Sequence, residues 1–266
     1  MSLLFQDPII VVRGNKHLQG LKLFVPNQMV RKRITTWLSA EPETIQWIKR
    51  NSSKALLIDV GANIGLYSMY SALHGAAKVI AIEPDPGNLY VLNSNIWLNG
   101  EKLLSISVQC LAAYSHECII DYFSNHPLIL GHALNQVSQP VEFDNIKTDF
   151  TRHNIKVFAT TVDSIVDKLE ASERKKYQRN AILKIDVDSL ELDVILGATR
   201  SLSDQFFKSI LIELDINDPS HLKVREFLSG FGYKYNKSQV QASLKHNQIN
   251  FPTMPSICNH IFDLCP

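Results

Sequence analysis

Four short apolar runs in this 266-residue chain each close on a carboxylate. Residues 56–58 lead to Asp59, 79–82 to Glu83, 181–185 to Asp186 and 209–212 to Glu213. A carboxylate at the tip of a strand can accept hydrogen bonds from two hydroxyls, sit against a cation, or take a proton from an attacking alcohol. Asp59 is followed at once by Gly61-Ala62-Asn63-Ile64-Gly65 and then by apolar residues at helical spacing. Gly61 has no Cβ, so the chain can turn sharply there and a ligand can lie against the backbone. Gly65 opens the helix, where a side chain would block helix–strand contact.

The glycine spacing is G-x-x-x-G. It is neither the G-x-G-x-x-G of dinucleotide enzymes nor a P-loop, so the pyrophosphate-binding pattern is incomplete. S-adenosylmethionine (SAM) has no phosphate and carries a sulfonium cation with an amino-acid end. Asp59 beside the turn suits that cation and ammonium better than it suits a pyrophosphate. A tight turn in some other α/β protein would show the same glycines.

The elements that must position these acids follow from the pattern around them. Strand, glycine turn and helix predict the opening unit of a doubly wound α/β sheet, whose ligands bind beyond the carboxyl ends of the strands. Glu83 ends the second strand, where an acid can take both hydroxyls of a ribose; a purely structural acid is the alternative. Pro84-Asp85-Pro86 breaks the chain before a helix over 87–98. A third strand spans 105–110, and Leu111-Ala112-Ala113 at its end can lie against an adenine. Asp186 ends the fourth strand and should approach the reacting end of the ligand. A helix over 190–202, a fifth strand over 209–214, a helix over 219–230 and strands over 232–236 and 257–263 complete the pattern. Residues 114–158 leave this rhythm. There 118–123 reads as an edge strand and 124–137 as a polar loop with His126, His132, Asn135 and Gln136. Such a histidine is either a general base or an ordinary polar loop residue.

Composition is that of an ordinary globular protein, 45% hydrophobic and 20% charged, and a net charge of +1 gives no argument for a nucleic-acid partner. Residues 1–53 hold eight Lys/Arg against three Asp/Glu, so Arg31-Lys32-Arg33 forms either a face for an acidic partner or a solvated face. Cys110, Cys118, Cys258 and Cys265 make no C-x-x-C, which argues against zinc and against a disulfide framework. No signal peptide and no membrane-length apolar run is read, and a cytoplasmic setting is expected. Two short strands within 1–25 and two helices within 28–50, the second with Pro42 in its first turn, predict an N-terminal cap over 1–53 before a main domain over 54–266. Whether the cap covers substrate or only completes packing stays open.

Asp59-Val-Gly-Ala-Asn-Ile-Gly-Leu-Tyr-Ser68, Glu83-Pro-Asp-Pro-Gly-Asn88 and Asn95-Ile-Trp-Leu-Asn99 occur in that order. Thr161-Val-Asp-Ser-Ile165, Lys184-Ile-Asp-Val-Asp188 with Glu191, Gly197-Ala198 and Ile212-Glu213 follow. From about residue 41 onward this set resembles the SAM-dependent methyltransferases of the FkbM type. The resemblance implies a class I methyltransferase fold: a Rossmann-like, mostly parallel seven-stranded sheet in the order 3-2-1-4-5-7-6, with strand seven antiparallel and helices on both faces. It implies O-methylation of a sugar or natural-product hydroxyl. It also implies that Asp59, Gly61, Ala62, Asn63 and Gly65 hold the methionine part of SAM and that Glu83 holds the ribose. Pro84 and Asp85 stand beside Glu83 among the cofactor-binding candidates, with Leu111 and Ala112 on the adenine side. The family's fourth-strand motif reads Lys-Ile-Asp-Val-Glu-Gly-Ala-Glu; here Asp188, Ser189 and Leu190 replace Glu, Gly and Ala.

For the proton of the attacking hydroxyl, Asp186 is the first candidate base by location, with Glu213 and His132 behind it. Asp186, Asp188, Glu213 and Asp215 are an alternative oxygen set for a divalent cation, and no metal site is assigned. Two competing readings remain. A nicotinamide oxidoreductase shares the acid of strand two but should carry the fuller glycine fingerprint. A binding protein of the same fold could have lost the chemistry.

Overall fold

A computed structural model describes residues 9–13, 15–124, 129–133, 136–138, 153–253 and 255–265. The chain begins with an antiparallel ribbon, β1 (Ile9–Val11) and β2 (Lys22–Phe24), followed by α1 (Gln28–Ala40) and α2 (Pro42–Asn51). Asn27 caps α1 by accepting from Val30 N, and Pro42 occupies the first turn of α2, where its missing N–H costs nothing. Leu18, Leu21, Leu23, Val30, Trp37, Trp47 and Ile48 share one core with Leu57, Val79, Ile182 and Leu211 of the central sheet.

The strand–helix alternation then runs β3 (Leu56–Val60), α3 (Leu66–Leu73), β4 (Lys78–Ile82), α4 (Pro86–Asn99) and β5 (Ile106–Gln109). Asp85 caps α4, accepting from Gly87 N and Asn88 N at 2.8 and 2.9 Å. The two asparagines of the Asn95–Asn99 motif tie the N-terminal ribbon to this helix. Asn95 Oδ1 accepts from Phe24 N at 2.8 Å, and Asn99 both accepts from Lys22 N and donates to Lys22 O.

An excursion follows: β6 (Ala112–Ala113), β7 (Cys118–Ser124), β8 (Gln136–Ser138) and β9 (His153–Thr160) form a second sheet in the order β6-β9-β7-β8. The 118–123 segment is therefore not an edge strand but an inner one, antiparallel to both β9 and β8. Ile120 and Tyr122 are buried while Ile119 is exposed, so one face packs on Ala112, Tyr114, Val157 and Ala159. That alternation marks a one-sided sheet but says nothing about how many neighbours a strand has. His126 and Asn135 lie outside the described residues.

The main sheet resumes through α5 (Val162–Asp167), α6 (Ala171–Tyr177), β10 (Ala181–Ile185), α7 (Glu191–Leu196), α8 (Thr199–Ser203) and β11 (Phe207–Asp215). It ends with α9 (Pro219–Gly230), β12 (Tyr233–Tyr235), α10 (Lys237–Asn250) and β13 (Ile257–Leu264). The observed order β5-β4-β3-β10-β11-β13-β12 is the expected 3-2-1-4-5-7-6, with β13 antiparallel to both its neighbours. Every residue of β3 and β10 is buried, as parallel strands covered on both faces require.

Two differences from the sequence pattern have local causes. The single helix expected over 190–202 is two short helices broken at Gly197, where a Cβ would stand 2.1 Å from the Tyr114 carbonyl oxygen. Helix α10 carries only Val240 and Ser243 as buried residues, too thin a stripe to be read as an amphipathic helix. No helix among the described residues is long and apolar enough to cross a membrane.

Candidate active site

Parallel pairing of β4, β3, β10 and β11 sets Val60 beside both Ile82 and Ile185, and Ile185 beside Ile212. The acids that follow these strands therefore converge on one sheet edge. Between β3 and α3 the chain turns under two backbone bonds, Gly61 N and Ala62 N to Ile82 O, at 3.0 and 2.9 Å. Gly61 has φ +78°, and a Cβ there would lie 1.9 Å from the Asp186 carbonyl oxygen.

A cleft opens over this edge, lined by Gly61, Asn63, Glu83, Pro84, Ala112 and Asp186 among others. A second chamber adjoins it and shares Arg33, Gly61, Asn63 and Asp186; its further walls include Trp37, Glu41, Ala62 and Tyr67. Glu83 is buried with one oxygen accepting from Asn63 N at 2.7 Å and the other from Asp85 N at 2.9 Å. Burial pushes its carboxyl up to about 7, against the pull of those two N–H groups.

The expected residues divide into lining and supporting groups. Gly61, Ala62, Asn63, Glu83, Pro84, Ala112, Asp186 and His132 line one chamber or the other. Asp59 is fully buried beneath the turn, where Ser68 Oγ donates to Oδ2 at 2.6 Å and Lys184 Nζ stands 3.7 Å from Oδ1. Burial raises the Asp59 carboxyl while Lys184 and Ser68 lower it. Gly65 caps α3 in the left-handed region and sits against Leu92. Asp85 is spent on its cap, and Leu111 packs into the central core. Glu213 lines neither chamber. Burial, with Asp186 and Glu41 as like charges, holds its carboxyl well above the usual range.

Asp186 has a side chain 31% exposed and accepts from Lys184 Nζ at 2.8 Å. Lys184 itself is 1% exposed. Burial alone would discharge it, but the carboxylates of Asp186, Asp59 and Glu41 overrule burial and hold its ammonium charged well above the ordinary lysine range. Glu191, retained from the fourth-strand motif, is buried and meets His221 Nε2 at 3.1 Å, which fixes the start of α7 against α9. Among the described residues no group of three or more His, Cys, Asp or Glu is placed to hold a metal ion.

A short strap, residues 130–132, crosses the cleft. Asn27 Nδ2 donates to Leu130 O at 3.0 Å, and Arg33 Nε donates to Gly131 O. Gly131 N donates to Asn88 Oδ1 at 3.0 Å, and the His132 carbonyl accepts from Asn63 and Asn88 at 3.0 and 3.2 Å. Sequence reasoning gave Trp37 and Asn88 no role of their own in the site and took Arg33 only as part of the basic run Arg31-Lys32-Arg33. Val30, Arg33 and Trp37 recur at helical spacing, so a cation on an apolar stripe was the available signal.

Comparison with known proteins gives the family. Residues 59–235 match the family described as the methyltransferase FkbM domain. A relative, methyltransferase sdnD of Sordaria araneosa, is 30% identical over 163 residues, which cover 54% of this chain and 61% of that protein. This chain thus spans less than two thirds of that relative's length. Among solved structures, methyltransferase FkbM from Methylobacillus flagellatus is 17% identical with a TM-score of 0.43, covering 79% of this chain and 50% of that one. TYW2 from M. jannaschii in complex with AdoMet is 13% identical with a TM-score of 0.43, covering 100% of this chain and 90% of that one. With TM-scores this low, the two structures add nothing to the assignment, which rests on the family match. A methyltransferase domain displaces the oxidoreductase reading, and the chain belongs to the FkbM family of SAM-dependent methyltransferases.

Proposed function

We propose that this chain transfers the methyl group of SAM to a hydroxyl of a sugar or natural-product acceptor, with Asp186 as the general base. The observation that carries the reading is the position of Asp186. Its partly exposed carboxylate borders both chambers at the end of β10, across the glycine turn from Glu83.

The lining fits the cofactor. Each Glu83 oxygen already accepts one backbone N–H and keeps a lone pair, so the pair can receive the two ribose hydroxyls. Ala112 and Ala113 give a small-side-chain wall for adenine, and Gly61 lets the methionine part pass close to the backbone. Asp59 acts from beneath, holding Ser68 and Lys184 rather than touching the ligand. Bound SAM supplies a methyl group activated by its sulfonium. Asp186 takes the proton of the acceptor hydroxyl as attack proceeds, and Lys184 fixes that carboxylate from below. His132 and Asp188 make the acceptor side polar, which suits a polyhydroxylated molecule.

Methyl transfer from isotopically labelled SAM to a panel of monosaccharides and hydroxylated natural products tests this reading. Asp186→Asn is expected to lower kcat by about 100-fold at saturating SAM. Full activity in that variant, or label appearing only on amines or carboxylates, would overturn the assignment.

Glu83 makes the cofactor step pH-dependent. Its folded value of about 7 means the acceptor-only carboxylate form is lost as pH falls through 7. SAM affinity should then drop by about tenfold between pH 8 and pH 6, since only the ionised fraction is competent. In calorimetric titration, Glu83→Ala should bind SAM at least about tenfold more weakly at pH 8 and show a flat pH profile. A wild-type affinity that rises on acidification would remove Glu83 from the ribose site.

A further inference from the structure

We propose that Arg33, on helix α1 of the N-terminal segment, grips the α-carboxylate of bound SAM, so that this segment forms part of the cofactor site. The inference rests on the cofactor reading above and assigns one further ligand contact within it.

The argument begins with charge. The second chamber is bordered by Glu41 and Asp186, with Asp59 buried behind the same turn. These acids suit the sulfonium and the α-ammonium of SAM, but the same ligand ends in a carboxylate that they repel. Something cationic must receive it. Lys184 is committed already, 2.8 Å from Asp186 and 3.7 Å from Asp59, and it is sealed from the chambers. Arg33 lines both chambers where they meet, and among the described residues no carboxylate pairs with it.

Its geometry suits the role. The bond from Nε to Gly131 O steadies the arm and uses one of five N–H donors. The remaining fork matches a carboxylate with two parallel hydrogen bonds. Trp37 stands one helical turn further along α1 and lines the second chamber too. It is 3% exposed, and its indole Nε1 finds no acceptor among the described residues. The chamber thus carries donors along α1, Arg33 and Trp37, and acids at the α1–α2 junction and the end of β10, Glu41 and Asp186. A zwitterionic amino-acid end fits that lining, with its ammonium toward Glu41 and Asp186 and its carboxylate toward Arg33.

The test compares two ligands on one protein, so that any loss of fold cancels. Wild type, Arg33→Met and Arg33→Lys are titrated calorimetrically with SAM and with decarboxylated SAM, which keeps the sulfonium and the ammonium. Wild type should prefer SAM by about tenfold or more, Arg33→Met should lose that preference, and Arg33→Lys should keep part of it. Equal weakening of both ligands in Arg33→Met would reduce Arg33 to a brace for the strap and overturn the proposal. An unchanged preference in Arg33→Met would overturn it as well, leaving the cofactor reading intact. Failure of folded wild type to bind either ligand would overturn both readings.

Discussion

Gly61→Ala is expected to cost more than about 3 kcal/mol of stability and to weaken SAM binding beyond about 100-fold. Two independent penalties act at the same atom. The backbone there has φ +78°, a conformation that disfavours any L side chain by about 1 kcal/mol. The new methyl would also stand 1.9 Å from the Asp186 carbonyl oxygen, so the end of β10 would have to move away from β3. That end is held by Asp186 N donating to Val60 O at 3.0 Å, and Asp186 is the proposed base. Stability, cofactor affinity and turnover should therefore fall together. Urea denaturation followed by tryptophan fluorescence, beside SAM titration, measures the first two. A variant as stable as wild type and within twofold in affinity would contradict the close approach of the two strand ends.

Lys184→Met is expected to cost about 3–5 kcal/mol, because it leaves buried carboxylates with no counter-charge. In the intact protein Lys184 lowers the values of Asp59 and Glu41, both of which burial raises. Without the ammonium these folded-state values climb further, while the unfolded chain keeps ordinary ones. An acid raised on folding binds an extra proton in the folded state, so its contribution is best below the unfolded value and is lost as pH rises. The deficit of Lys184→Met should therefore open as pH passes the raised wild-type values, widen toward neutral pH and level off past the values raised further in the variant. Paired urea titrations at pH 5 and pH 8 check this, with the larger gap expected at pH 8. A gap that is larger at pH 5 would show that Lys184 does not neutralise these acids.

The main sheet was legible because parallel strands buried on both faces leave continuous apolar runs, and each run ended on an acid. The second sheet was not. Its strands pair across long separations, and Ala112–Ala113 is too short to announce itself. The break at Gly197 was hidden because the Tyr114 carbonyl packed against it comes from a distant part of the chain. In the site, the turn, Glu83, Ala112 and Asp186, singled out by position, lie together on the lining of the cleft. Asp59, Gly65, Asp85 and Leu111, expected beside the ligand, lie outside that lining, because their burial and hydrogen bonds depend on partners that only the fold brings together. Arg33 was masked by its neighbours: within Arg31-Lys32-Arg33 it looks like one more solvated cation, and only the helix shows which of the three turns inward.

The strap over the cleft is secured through its main chain. Carbonyls of Leu130, Gly131 and His132 and the Gly131 N–H meet amide and guanidinium groups of Asn27, Arg33, Asn63 and Asn88. Three consecutive residues thereby clasp the start of α1, the glycine turn and the start of α4 to one another. Whatever loosens one of these anchors slackens the wall over the cleft as a whole, so the N-terminal segment and the sheet edge answer to each other through a single fastening.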